Sequence, residues 1–130
     1  MIHLSRWQDA PAPAGPDLAV ITDPPYSART HDGQHEAVGE LDYSAWSPDD
    51  VRAAVAAWAT WDPAWVCALT DDVLTPAWRE AYRAAGLLDF APVPCVHPDS
   101  VRLGGDGPAS GCVWLVVARR RSQAMARWGS

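Results

Sequence analysis

Leu18-Ala19-Val20-Ile21-Thr22, followed at once by Asp23-Pro24-Pro25-Tyr26, decides how this chain is read. The first five residues are apolar or β-branched and are preceded by a Pro/Ala/Gly run from Ala10 to Pro16, the pattern of a short buried parallel strand. The two prolines hold φ near about −65°, remove two backbone donors and keep Asp23 extended, so the chain leaves the strand as a stiff elbow that cannot enter a helix directly. In open α/β sheets ligands bind beyond the carboxyl ends of the strands, where this tetrapeptide falls. A proline turn with no further role is the plain alternative.

Working outward, Met1 to Leu4 suggests a short strand, and the segment from Ser27 to Tyr43 reads as a long polar loop beside the elbow. Ser47-Pro48-Asp49-Asp50 marks a helix start, with Ser47 as N-cap, Pro48 at the first helical position and acids facing the positive end of the dipole. Ala54 with Val51, Val55 and Trp58 gives that helix its apolar face, and Asp62-Pro63 ends it. Trp65 to Leu69 is a second buried strand, closing at Thr70-Asp71-Asp72. Thr75-Pro76 opens another helix by the same capping device, with Trp78, Tyr82 and Ala85 inward and Gly86 beyond its end.

The last third changes character. Leu87 to His97, broken by Pro92 and Pro94, fits an edge or irregular strand. Gly104 to Gly111 is a hairpin turn leading into the strand Val113 to Ala118. The predicted architecture is therefore one α/β domain over residues 1–130, with parallel strands joined by helical crossovers and a closing antiparallel hairpin.

A chain of 130 residues is long enough to bury a core without disulfides or metal, and its three widely spaced cysteines, Cys67, Cys95 and Cys112, argue against a disulfide framework and for a reducing compartment. No leader and no membrane-length apolar run is visible, so the expected location is the cytoplasm. The formal charge of −6 speaks against a free-standing nucleic-acid binder. Arg119-Arg120-Arg121, with Arg127, is a local basic cluster that either meets phosphate or is a solvated strand end. The eight tryptophans suggest only core and interface packing.

With these elements in order, the chain resembles the amino-group DNA methyltransferases that use S-adenosylmethionine to methylate adenine N6 or cytosine N4. The resemblance begins at Asp23-Pro24-Pro25-Tyr26-Ser27, the family's catalytic motif, and continues through the Trp65 to Asp71 strand, the Thr75 to Gly86 helix and the Val113 to Arg119 strand. It implies a partial Rossmann-like sheet in which the Asp23 carboxylate and the Pro24 carbonyl accept hydrogens from a flipped base's amine and return its lone pair to nitrogen. Pro25 would stiffen the backbone, Tyr26 would stack on the base, and Ser27 and Arg29 would join the substrate-binding set. Transfer would be a direct displacement at the sulfonium methyl. Aspartate at the first motif position favours adenine, since the cytosine N4 members more often carry serine there.

The family also carries a Phe-x-Gly-x-Gly loop after a strand to cradle S-adenosylmethionine, and no such segment occurs here. The chain resembles the catalytic half that comes first in one circular arrangement of the family, truncated or split, with DNA as substrate and a complementary cofactor-binding segment or subunit as partner. A non-catalytic interaction module that keeps the fold is the rival of another class. An RNA or protein-amide methyltransferase is the rival within the enzyme class, although the glutamine-modifying enzymes usually carry asparagine first.

Other pairings lead less far. Pro94-Cys95 is similar to the nucleophilic dipeptide of the C5-cytosine methyltransferases but sits in a proline-broken strand, so an ordinary buried cysteine is expected. Cys95-x-His97 with Cys67 or Cys112 lacks paired metal-ligand spacing, so no metal is expected. His31 and His35, near the elbow, are expected to be solvated loop residues that touch substrate only as a second possibility.

Overall fold

The computed structural model describes residues 6–13, 15–32, 43–96 and 111–121. Met1 to Leu4, His35, His97, the Gly104–Ser110 turn and Arg127 lie outside these residues. The chain forms a mixed α/β sheet with the elements β1 (Ala19–Thr22), α1 (Pro48–Ala59), β2 (Trp65–Thr70), α2 (Thr75–Ala84), β3 (Leu88–Asp89), β4 (Val93–Val96) and β5 (Cys112–Arg119), preceded by a 3-10 turn over Trp7–Asp9. Strands β1 and β2 are parallel, in register from Ala19 opposite Trp65 to Thr22 opposite Ala68. β2 then pairs antiparallel with β5, whose other edge carries both β3 and β4, also antiparallel. The last strand is thus inserted beside β2, and the proline-broken strands take the edge.

Local sequence explains the helix ends. Ser47 caps α1 through a reciprocal box: its Oγ accepts from the Asp50 amide, while the Asp50 carboxylate accepts from the Ser47 amide at 2.8 Å. Two of the orphan donors at the helix start are satisfied this way. Ser47→Ala is expected to cost about 1 kcal/mol, seen as a lower urea midpoint at unchanged slope. At the end of α2, Gly86 takes φ +76°, the Leu87 amide donates to the Tyr82 carbonyl and the Gly86 amide to the Arg83 carbonyl, which is a Schellman closure. The start of α2 departs from expectation. Thr75 is already helical and its hydroxyl donates to the Asp71 carbonyl, while the Asp71 carboxylate accepts from the Leu74 amide at 3.0 Å and does the capping.

Both helices lie on one face of the sheet. Val66, Ala68 and Thr70 of β2 and Val116 and Ala118 of β5 are buried there against Val51, Val55 and Trp58 of α1 and Trp78, Ala81 and Tyr82 of α2. The tryptophans now have an architectural role. Trp46, Trp78 and Trp58 stack in series with centroids 6.1 and 5.9 Å apart, Trp58 meets the edge of Trp7 at 5.5 Å, and Trp7 meets Trp61. These five indoles run from the 3-10 turn through the core to the segment before α1.

The opposite face carries Ile21, Trp65, Cys67, Leu69, Leu115 and Val117, which the pairing register places together. None of the six is buried, and Ile21 is 79 % exposed. Among the described residues no helix covers this face, whereas the parallel sheets of α/β proteins are normally covered on both. No helix among the described residues is long and apolar enough to cross a membrane.

Candidate functional site

The elbow sits where the strand–proline boundary predicts. Asp23 follows directly on Thr22 at the carboxyl end of β1, next to the carboxyl end of the parallel strand β2. Asp23, Pro24, Pro25 and Tyr26 line a cleft of about 290 Å³ together with Tyr43. Pro24 is buried and Asp23 exposed, so the tetrapeptide is anchored at its second residue and presents its acid to solvent.

Two ties hold the segment beyond the prolines. The Tyr26 carbonyl accepts from the Trp46 amide at 3.0 Å, which joins the elbow to the tryptophan series. Ser27 is buried, and both its amide, at 3.0 Å, and its hydroxyl donate to the Asp71 carboxylate. Asp71 gathers further donors from the Thr30 hydroxyl at 2.7 Å and the Leu74 amide. Burial alone would raise the Asp71 carboxyl, but hydrogen bonds from Ser27, Thr30 and the Leu74 amide outweigh it and hold the group below its ordinary value.

The Tyr26 phenol behaves oppositely: burial, the Asp23 charge and a hydrogen bond with Asp23 push it up to about 12. It therefore remains protonated at neutral pH, a potential donor beside the Asp23 carboxylate.

The site residues expected from sequence separate into two groups. Asp23, Pro24, Pro25 and Tyr26 share the cleft, whereas Ser27 and Arg29 do not line it. Ser27 is turned to Asp71, and Arg29 makes a two-oxygen ion pair with Asp72 at 2.9 and 3.1 Å on the surface. The expected polar loop is helical over 28–32, where the His31 amide donates to the Ser27 carbonyl at 2.9 Å. His31 is consequently buried and not solvated; its Nε2 donates to the Tyr43 carbonyl at 2.7 Å and its ring meets the edge of Tyr43. Tyr43 itself went unmarked by the sequence because nothing local distinguishes it.

The arginine cluster is remote from the cleft. Arg119 opposes Trp65 at the start of β2, roughly 17 Å of strand away from Thr70. Arg120 is engaged with Asp62 at 2.6 Å and the Pro16 carbonyl at 2.9 Å, and Arg119 lies over the Phe90 ring. Arg119 and Arg120 are thus half-buried and engaged within the protein, not the solvated strand end expected as the alternative to phosphate binding. Cys67, Cys95 and Cys112 are free thiols, and no metal-ligating cluster occurs among the described residues.

Compared with known proteins, the chain matches no protein-family model, no curated protein and no solved structure.

Proposed function

We propose that this chain is the catalytic portion of an S-adenosylmethionine-dependent DNA amino-methyltransferase acting on adenine N6 or cytosine N4, and that its sheet is part of a Rossmann-like one. The observation that carries this reading is the Asp23-Pro24-Pro25-Tyr26 elbow at the carboxyl end of a parallel strand, lining its own cleft. The alternation β1, α1, β2, α2 supports the fold.

At about 290 Å³ the cleft lies at the small end of ligand sites, suited to one planar ring system and too small for a base and a nucleoside cofactor together. An exocyclic amine entering it meets the Asp23 carboxylate and, at the neighbouring residue, the Pro24 carbonyl. The carboxylate has lone pairs on two oxygens, so it can keep the Tyr26 hydroxyl and still accept an amine hydrogen. Acceptors fixed before the reaction favour the pyramidal nitrogen without reorganising at the moment of transfer. Tyr26 and Tyr43 offer aromatic surface for a base drawn out of its stack.

The described residues do not fit the cofactor. β1 exits into two prolines and β2 into Asp71-Asp72, so neither strand leads into a glycine-rich cradle. When bound to a complementary segment or subunit, S-adenosylmethionine would supply an electrophilic methyl group. Phosphate contacts would have to come from the same source, because Asp23 lines the cleft and Arg29 is already paired with Asp72. The bare apolar sheet face favours the second reading, an interaction module of this fold without catalysis.

Methyl-transfer assays with radiolabelled S-adenosylmethionine on duplex DNA, RNA and peptide decide between them. Label on DNA amines once a cofactor-binding segment is supplied is the expected result, with little cofactor bound by the chain alone in calorimetry. Label on RNA or peptide redirects the substrate class. No transfer to any of the three leaves the module.

A further inference from the structure

We propose that Asp71 is a positioning residue for the elbow: its carboxylate grips the chain just past Tyr26 and so fixes the direction in which Asp23 and Pro24 face the cleft. The inference rests on the reading of the elbow as an amine-binding site and adds to it a residue outside the tetrapeptide.

The geometry is specific. Asp71 is 5 % exposed and its two oxygens take hydrogen bonds from four donors. Oδ2 holds the amide and hydroxyl of Ser27 and the hydroxyl of Thr30, whereas Oδ1 holds the Leu74 amide. One carboxylate therefore joins the residue after Tyr26, the helical turn 28–32 and the entrance to α2. The partners lie 44 and 41 residues away in sequence, so the contact forms only when β1 and β2 are aligned in parallel.

Charge-assisted hydrogen bonds are roughly twice as strong as neutral ones, and a buried carboxylate that lost its donors would be costly to keep, so the grip is stiff. The opposite end of the elbow is set by the pairing of Thr22 with Ala68. Between two fixed ends, with two prolines inside, the backbone of Asp23 to Tyr26 has little freedom left. Asp71 does not line the cleft and would touch no substrate, so its action is indirect.

The chain contains only three tyrosines, Tyr26 and Tyr43 lining the cleft and Tyr82 in the core, which permits a direct test. In the full chain labelled with 3-fluorotyrosine, Asp71→Asn is expected to shift or broaden the Tyr26 fluorine resonance and leave that of Tyr82 in place. A Tyr26 signal that does not move, or one that moves only together with Tyr82, overturns the proposal, because a general structural role would disturb both. Should Asp71→Asn fail to fold, the Ser27→Ala/Thr30→Val double variant removes the hydroxyl donors, leaves the carboxylate in place, and is judged by the same criterion. The readout is independent of methyl transfer. A wild-type chain that, supplied with a cofactor-binding segment, transfers methyl to no substrate defeats the amine-site reading and leaves the Asp71 result to stand or fall separately.

Discussion

Asp23→Ala is expected to lower methyl transfer by at least about 100- to 1000-fold when the chain is assayed with a cofactor-binding segment, the loss typical of removing one preorganised partner of a developing charge. The effect should appear in kcat, because in the proposed mechanism the interaction would strengthen as the amine nitrogen becomes pyramidal and would contribute less to ground-state binding. Stability should hardly change. Asp23 is exposed, and surface replacements generally stay within about 0.5 kcal/mol. Losing its charge also removes the group that helps hold the Tyr26 phenol at about 12, so that pKa should fall towards its ordinary value in an absorbance titration. Transfer at the wild-type rate by Asp23→Ala would remove the carboxylate from the chemistry.

Trp78→Ala should do the reverse and attack the fold. Trp78 is fully buried, stacks on Trp46 and Trp58 and touches Tyr82, so truncation opens a cavity at the meeting point of α1, α2 and the sheet. Large aromatic-to-alanine changes cost about 3–5 kcal/mol, a large part of the roughly 5–15 kcal/mol that holds a domain together. Its indole Nε1 is buried without a partner among the described residues, so Trp78→Phe removes an unsatisfied donor and should recover much of the loss. Urea denaturation followed by far-UV circular dichroism measures both variants. Equal midpoints for Trp78→Ala and the wild type would mean that the stack is not the keystone of this core.

The parts of this molecule that could be read from sequence are those whose cause is local. The position of the strand before Asp23 (though not its burial, since none of Ala19 to Thr22 is buried), the proline elbow, the Ser47 box, the inward faces of α1 and α2 and the Gly86 closure each depend on residues a few positions apart. The illegible parts depend on partners far along the chain. The helical turn at 28–32 needs Asp71, more than 40 residues away, to take up the Ser27 and Thr30 donors. Without that partner, Ser27 to His31 shows only polarity, which explains why Ser27 and Arg29 looked free for substrate and His31 looked solvated. The insertion of β5 beside β2 is equally hidden, since hydrophobic runs reveal strands but not their order. Thr75 looked like a cap because it precedes Pro76, yet Asp71, four residues earlier, already satisfied the helix entrance.

The series of indoles also gives the protein an optical handle. Trp46 is bonded through its backbone to Tyr26 and stacked on Trp78, which stacks in turn on Trp58. Excitation absorbed anywhere along this array can pass between neighbouring rings, so the emission of the core is sensitive to an indole bonded to the elbow. A ligand that displaces Tyr26 would thus dim or brighten the intrinsic fluorescence of an unlabelled sample.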